Sequence, residues 1–209
     1  MTYNRREFLR TTSIAGVTCG LFADDLRAAP AKGAAGGSGR FPPSKELRRY
    51  ARYLWELVDA INTYRQENDL PAVPISSKLT AVARAHVFDL AKHSPHKACG
   101  GNLHAWSKKG TWKGGCYKSD DKTTYPIMWN KPKEIAGYEG PGFEVAARAT
   151  KGGKPHIDAA AALKLWQNSP PHRDVLLSRG IWSKKPWKAL GAVHHGGFAC
   201  AWFGRVADV

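Results

Sequence analysis

The chain has 209 residues, 43% of them hydrophobic, and a formal net charge of +15 from 32 Lys and Arg against 17 Asp and Glu. That is enough apolar material for a real core, which excludes a chain unable to pack one, and the length fits one domain plus a non-globular end. The positive field favours anionic partners such as nucleic acid, acidic polysaccharide or an anionic lipid surface. Eight tryptophans point to broad aromatic packing, with indole N–H groups that need acceptors.

The chain opens with NRREFLR, Asn4 to Arg10, then the short and moderately apolar run TTSIAGVTCGLF. Paired arginines, Phe8-Leu9 and the small residues of APA (Ala29 to Ala31) match a twin-arginine export signal, and the apolar run is too short to span a membrane. Residues 1–31 are therefore expected to be removed and the product to be exported, secreted or periplasmic, with no transmembrane segment. Four basic and three acidic residues lie in that segment, so the remainder still carries +14. Cys99, Cys116 and Cys200 remain. An oxidising compartment permits one disulfide, and Cys99 with Cys116, flanking a Gly- and Lys-rich loop, is the expected pair. Cys200 falls in a predicted strand and reads as a buried thiol.

Residues 32–46 are a Gly/Ala/Pro linker without periodicity, and the working domain is expected over 47–209. Leu47, Tyr50, Ala51, Leu54, Leu57, Val58, Ile61 and Tyr64 keep a helical period. After NDLPAVP, Ser77 is expected to cap a second helix whose apolar stripe is Leu79, Val82, Ala83, His86, Val87 and Leu90. His86 on that stripe reads as a satisfied core residue. Residues 94–156 predict long ordered loops around short strands at NLHAW and GFEVAARA. Asp158 caps a third helix, with Ala159, Ala162, Leu163 and Trp166 on one side. Gly196-Gly197 joins two alternating runs as a hairpin. Helices, loops with strands, and a terminal hairpin make an α+β layered domain.

The stretch NSPPHRDVLL, residues 168–177, ends one helix and starts another. Pro170 disfavours helical geometry at Ser169, and both prolines suit a first turn, which makes Ser169 the cap and His172 the third helical position. The positive end of a helix dipole disfavours imidazolium there, and a neutral imidazole is what a metal ligand or general base requires. No G-x-S-x-G elbow, phosphate-cradling loop or cysteine–histidine pattern accompanies it.

A helix ending in Trp166, followed by NSPPHRDVLL and a terminal hairpin, resembles the CAP superfamily, the cysteine-rich secretory, antigen 5 and pathogenesis-related proteins with an SCP domain. LVDAINTYRQENDLPAVPISSKLTAVARAHVFDLA, CGGNLHAWS, MWNKPKEI, GFEVA and ACAWFG fit the same family in the same order, over about residues 47 to 207. The resemblance implies an α–β–α sandwich with a small antiparallel sheet between helices and a cleft lined by two histidines and two acids. By position His104, Glu144 and His172 take three of those places, while Gln167, Asn168 and Ser169 stand where the second acid would be. Two imidazoles and a carboxylate are a recognised set for zinc or another divalent metal. Trp106, Glu134 and Arg173 are candidate cleft-lining residues, Glu134 being a reserve for the missing acid and Arg173 a candidate partner for Glu144. His93 and His96 form a weaker second cluster.

What the resemblance implies is a secreted, monomeric binding module whose cleft takes a metal and a lipid, sterol or cell-envelope ligand. Two other functions are open: a zinc-dependent, protease-like hydrolase using the same residues, and a protein that binds an anionic polymer through Lys108, Lys109, Lys113 and Lys118, interleaved with Trp112 and Tyr117.

Overall fold

A computed structural model describes residues 44–208, with side chains from Trp55 onward. The export-signal reading over 1–31 and the linker up to residue 43 lie outside the described residues. The first helix, α1 (Ser44–Gln66), begins ahead of Leu47 and buries Leu57, Val58 and Ile61. The second, α2 (Ser77–His93), is capped by Ser76 rather than Ser77, because the Ser76 hydroxyl accepts the Leu79 N–H at 2.9 Å. Short helices follow: α3 (Pro95–Cys99), α4 (Pro126–Trp129) and α5 (Lys131–Ala136).

Strand β1 (Gly142–Arg148) precedes a small ribbon of β2 (Thr150–Lys151) and β3 (Lys154–Pro155). Helix α6 (Ala159–Asn168) is capped by Asp158, whose carboxylate accepts the Ala161 N–H, as expected. Helix α7 (Pro170–Leu176) takes Ser169 as its N-cap residue and Pro170 in its first turn, although no Ser169 side-chain hydrogen bond closes the cap. The chain ends in β4 (Ala189–His195) and β5 (Phe198–Gly204), joined through Gly196 and Gly197 at φ +57° and +81°, the left-handed pair that a two-residue hairpin requires.

The main sheet is antiparallel with order β1-β5-β4, and both of its faces are covered. Alternation along each strand assigns the sides. Val145, Ala147, Leu190, Ala192, Ala199, Ala201 and Phe203 meet α1, α6 and α7 through Leu57, Ile61, Ala162, Trp166 and Leu176. Ala146, Val193, Phe198, Cys200 and Trp202 meet α2 through Leu79, Val82, Val87 and Leu90. The architecture is the expected α–β–α sandwich. Helix α2 lies so close to β4 that a Cβ on Gly191 would come within 2.2 Å of the Leu79 carbonyl carbon and Thr80 nitrogen. Only glycine fits there, and that approach fixes the depth at which α2 presents its residues.

NLHAW is not a strand. The Asn102 side chain accepts the His104 N–H at 3.0 Å, a local turn that replaces strand pairing, and only Trp106 makes a bridge, to Gly115. Cys99 and Cys116 form a disulfide across this segment, with Cα atoms 5.8 Å apart. Cys200 is free and buried. No helix among the described residues is long and apolar enough to cross a membrane.

Candidate functional site

Glu144 lies on the β1 face turned toward α2, one residue from the apolar Val145 on the other side. It is 5% exposed and each of its oxygens meets an imidazole. Oε1 is 2.5 Å from His86 Nδ1 on α2, and Oε2 is 2.7 Å from His104 Nδ1 on the disulfide-closed loop. The other His86 nitrogen, Nε2, donates to the Ala105 carbonyl at 3.1 Å. A carbonyl can only accept, so Nε2 carries hydrogen.

Burial pushes the Glu144 carboxyl up, but His86 and His104, by charge and hydrogen bonding, outweigh it and hold it down to about 2. The carboxylate is therefore an anion fixed between two rings. His86 is clamped further by Trp106, stacked on it at 3.9 Å between centroids with 8° between planes.

His104 is the more open of the two, its side chain 12% exposed against 0% for His86. Tyr117, next to Cys116, packs edge-on to it at 5.0 Å. With Nδ1–H donated to Glu144, Nε2 is the His104 nitrogen left to face a ligand. A carboxylate behind a histidine fixes its tautomer and strengthens the outward nitrogen as a base or ligand. His172 is half-buried at the start of α7. Burial, then His104, lowers its pKa while Glu144 opposes them, so the ring stays neutral. Helix position was the reason offered by the sequence; in the structure burial comes first.

The other expected residues have different places. Trp106, expected at the cleft wall, is 2% exposed and backs His86 within the α2-side core. Glu134, the reserve acid, is occupied elsewhere. Its Oε2 accepts from Lys131 Nζ at 2.6 Å and from the Lys113 N–H at 3.1 Å. Lys131 is wholly buried, and Nζ also donates to the Lys113 carbonyl, so this pair ties α5 to the loop. Arg173 is not the partner of Glu144: its Nη1 reaches the Gln167 carbonyl at 3.3 Å. His96 packs edge-on against Phe198 at 5.9 Å. The aromatics of the basic loop are engaged internally, Trp112 Nε1 donating to the Ser107 carbonyl and Tyr117 stacking on Tyr125.

His86 is the residue that sequence reasoning undervalued. It is the satisfied core residue expected, but what satisfies it is the carboxylate of the candidate site, from 58 positions along the chain. With Glu144 and Cys200 it also forms a group of three buried donors lying within 4.8 Å of one another. The 2.5 Å contact between Nδ1 and Oε1 suits a proton; an ion bonded to both atoms at about 2.1 Å would spread them beyond 3 Å. Cys200 Sγ is 3.8 Å from His86 Nδ1, and burial, first of all, raises its pKa well above the ordinary thiol value. It is a thiol, not the thiolate that a metal takes.

A helix-flanked three-stranded sheet, with a histidine-bound glutamate on the central layer's α2 side, defines a sandwich of the CAP class. The pattern of the cysteine-rich secretory protein (CAP) family matches residues 58–181, more than half of the chain, and the chain belongs to that family. It is similar in fold to an extracellular protein containing an SCP domain from Bacillus anthracis str. Ames, with 22% identity, a TM-score of 0.52, and coverage of 81% of this chain and 45% of that one. A cysteine-rich secretory protein from Staphylococcus aureus subsp. aureus Mu50 shares 13% identity at a TM-score of 0.47, with 85% and 45% covered. The chain spans less than half the length of either. No curated protein matches it.

Proposed function

We propose that this CAP-domain protein is an exported binding module in which His104 and His172 hold a divalent cation such as zinc, beside a cleft that receives a lipid or cell-envelope ligand. The observation that carries this reading is the 2.7 Å contact between His104 Nδ1 and Glu144 Oε2, which leaves Nε2 directed away from its carboxylate support. Glu144 then acts behind the ligand rather than as one. This changes the expected set of His104, Glu144 and His172: two neutral imidazoles bind, and water or ligand oxygens complete the shell. Export is supported by the twin-arginine pattern and by the Cys99–Cys116 disulfide.

The hydrolase reading is weaker, because a general base is needed and both Glu144 oxygens are already committed to histidines. Zinc titration by calorimetry tests the proposal. The wild type is expected to bind with a dissociation constant on the order of micromolar, and His172→Ala to weaken it about tenfold or more. His172→Ala touches no hydrogen bond of Glu144, so the carboxylate support of His104 stays in place. Absence of a wild-type signal, or an unaltered one in the variant, refutes the cation site.

A further inference from the structure

After α7 the chain makes a tight turn, SRGIWSKKPWK, residues 178–188. Ile181 at its tip is 76% exposed, the most exposed large apolar residue among the described ones. Around it Arg179, Lys184, Lys185 and Lys188 are all exposed, and no acidic residue falls between positions 175 and 207. Arg179 donates to Asn68 Oδ1 at 3.3 Å, which leaves the three lysines as the freer charges.

The turn is rigid. Residues 180–182 form one 3-10 turn, with the Trp182 N–H donated to the Arg179 carbonyl and the Ser183 hydroxyl to the Gly180 carbonyl. Gly180 holds φ +56°. Beneath the tip, Trp182 packs on Phe143 and Trp187 at 5.0 and 5.6 Å, and the Arg205 guanidinium lies over all three rings. At the base, buried Arg65 donates to the Leu176 carbonyl and the Ser178 hydroxyl. An exposed isoleucine is thus displayed on a preformed aromatic platform, with little ordering left to occur on contact.

We propose that residues 179–188 are a docking surface for an anionic lipid bilayer, Ile181 entering the headgroup region while Lys184, Lys185 and Lys188 meet lipid phosphates. The lysines alone would suit any polyanion. The apolar tip decides the occupant, because a bilayer offers it an apolar phase and a soluble polyanion does not. Half-buried Trp182 beside the tip fits the interfacial preference of tryptophan. The surface uses no residue of the His104–His172 site.

Sedimentation with phosphatidylcholine vesicles, with and without phosphatidylglycerol, tests it on the full protein, with chelator present so that the outcome is independent of any bound cation. The protein is expected to sediment with the anionic vesicles only. Lys184→Glu/Lys185→Glu should weaken binding about tenfold or more, and Ile181→Ser about fivefold. Binding to dextran sulfate should fall in the lysine variant and be unchanged in Ile181→Ser. No sedimentation overturns the proposal. So does vesicle binding indifferent to Ile181→Ser, which would make the patch a polyanion site, or binding indifferent to both variants, which would place it elsewhere. All three positions are exposed, so the substitutions leave the core intact.

Discussion

The two faces of the central sheet are built from different chemistry. Against α1, α6 and α7 the sheet shows alanines, Val145, Leu190 and Phe203 to an apolar cluster centred on Leu57, Ile61 and Trp166. Against α2 and the disulfide-closed loop, the same strands pack a core that also encloses Glu144, His86, Asp89 and Lys131. Each of these polar groups has a dedicated partner: Asp89 accepts from the Ser107 N–H and hydroxyl, Lys131 from α5 pairs with Glu134, and Glu144 holds two histidines. Replacing a buried ion pair by hydrocarbon is often neutral or stabilising, so stability does not account for the difference. The α2-side face gives up apolar packing to hold the loop bearing His104 in one place.

The largest effect should come from Glu144→Ala, which leaves two imidazoles without their acceptor and one of them wholly buried. A loss of about 3–5 kcal/mol is expected in denaturant unfolding. The pH dependence supplies a second signature. Glu144 is held to about 2 when folded against 4.5 ordinarily. Between those values the unfolded chain binds a proton that the folded one refuses, so its stabilisation is present above pH 4.5 and is lost as pH falls toward 2. That slope should be reduced in the variant. A loss below about 1 kcal/mol would show that the α2 face tolerates the change as hydrocarbon would. Glu134→Ala should have a smaller effect, about 2 kcal/mol, because it strands the buried Lys131 ammonium while removing a partly exposed partner. Zinc affinity in that variant should stay near the wild-type value, which would separate bracing of the loop from the site itself.

The helices and the hairpin were legible because each carries its own signal: the apolar period of α1 and α2, Asp158 ahead of α6, the proline pair opening α7, and the double glycine before β5. The Cys99–Cys116 pair could also be read, from its place around one loop. NLHAW deceived because alternation resembles a strand, whereas the Asn102 side chain closes a turn on His104. His104 and Glu144 came from the family resemblance and do meet, but their geometry came only with the fold. His86 was hidden for a physical reason. A histidine on the apolar stripe of a helix looks like core, and its partner stands on a strand whose register nothing local reveals. Glu134 was less hidden, since Lys131 precedes it at i,i−3 spacing on one short helix.

The account depends on one proton. If Glu144 orients His104 toward an incoming ligand, then His104 Nδ1 bears the hydrogen and Nε2 the lone pair. Long-range proton–nitrogen NMR on the metal-free protein at neutral pH reads this directly. The expected result is an Nδ1-protonated His104 with an unprotonated Nε2 in the wild type. An Nε2-protonated His104 would contradict the account, because the nitrogen assigned to the ligand would already be carrying hydrogen.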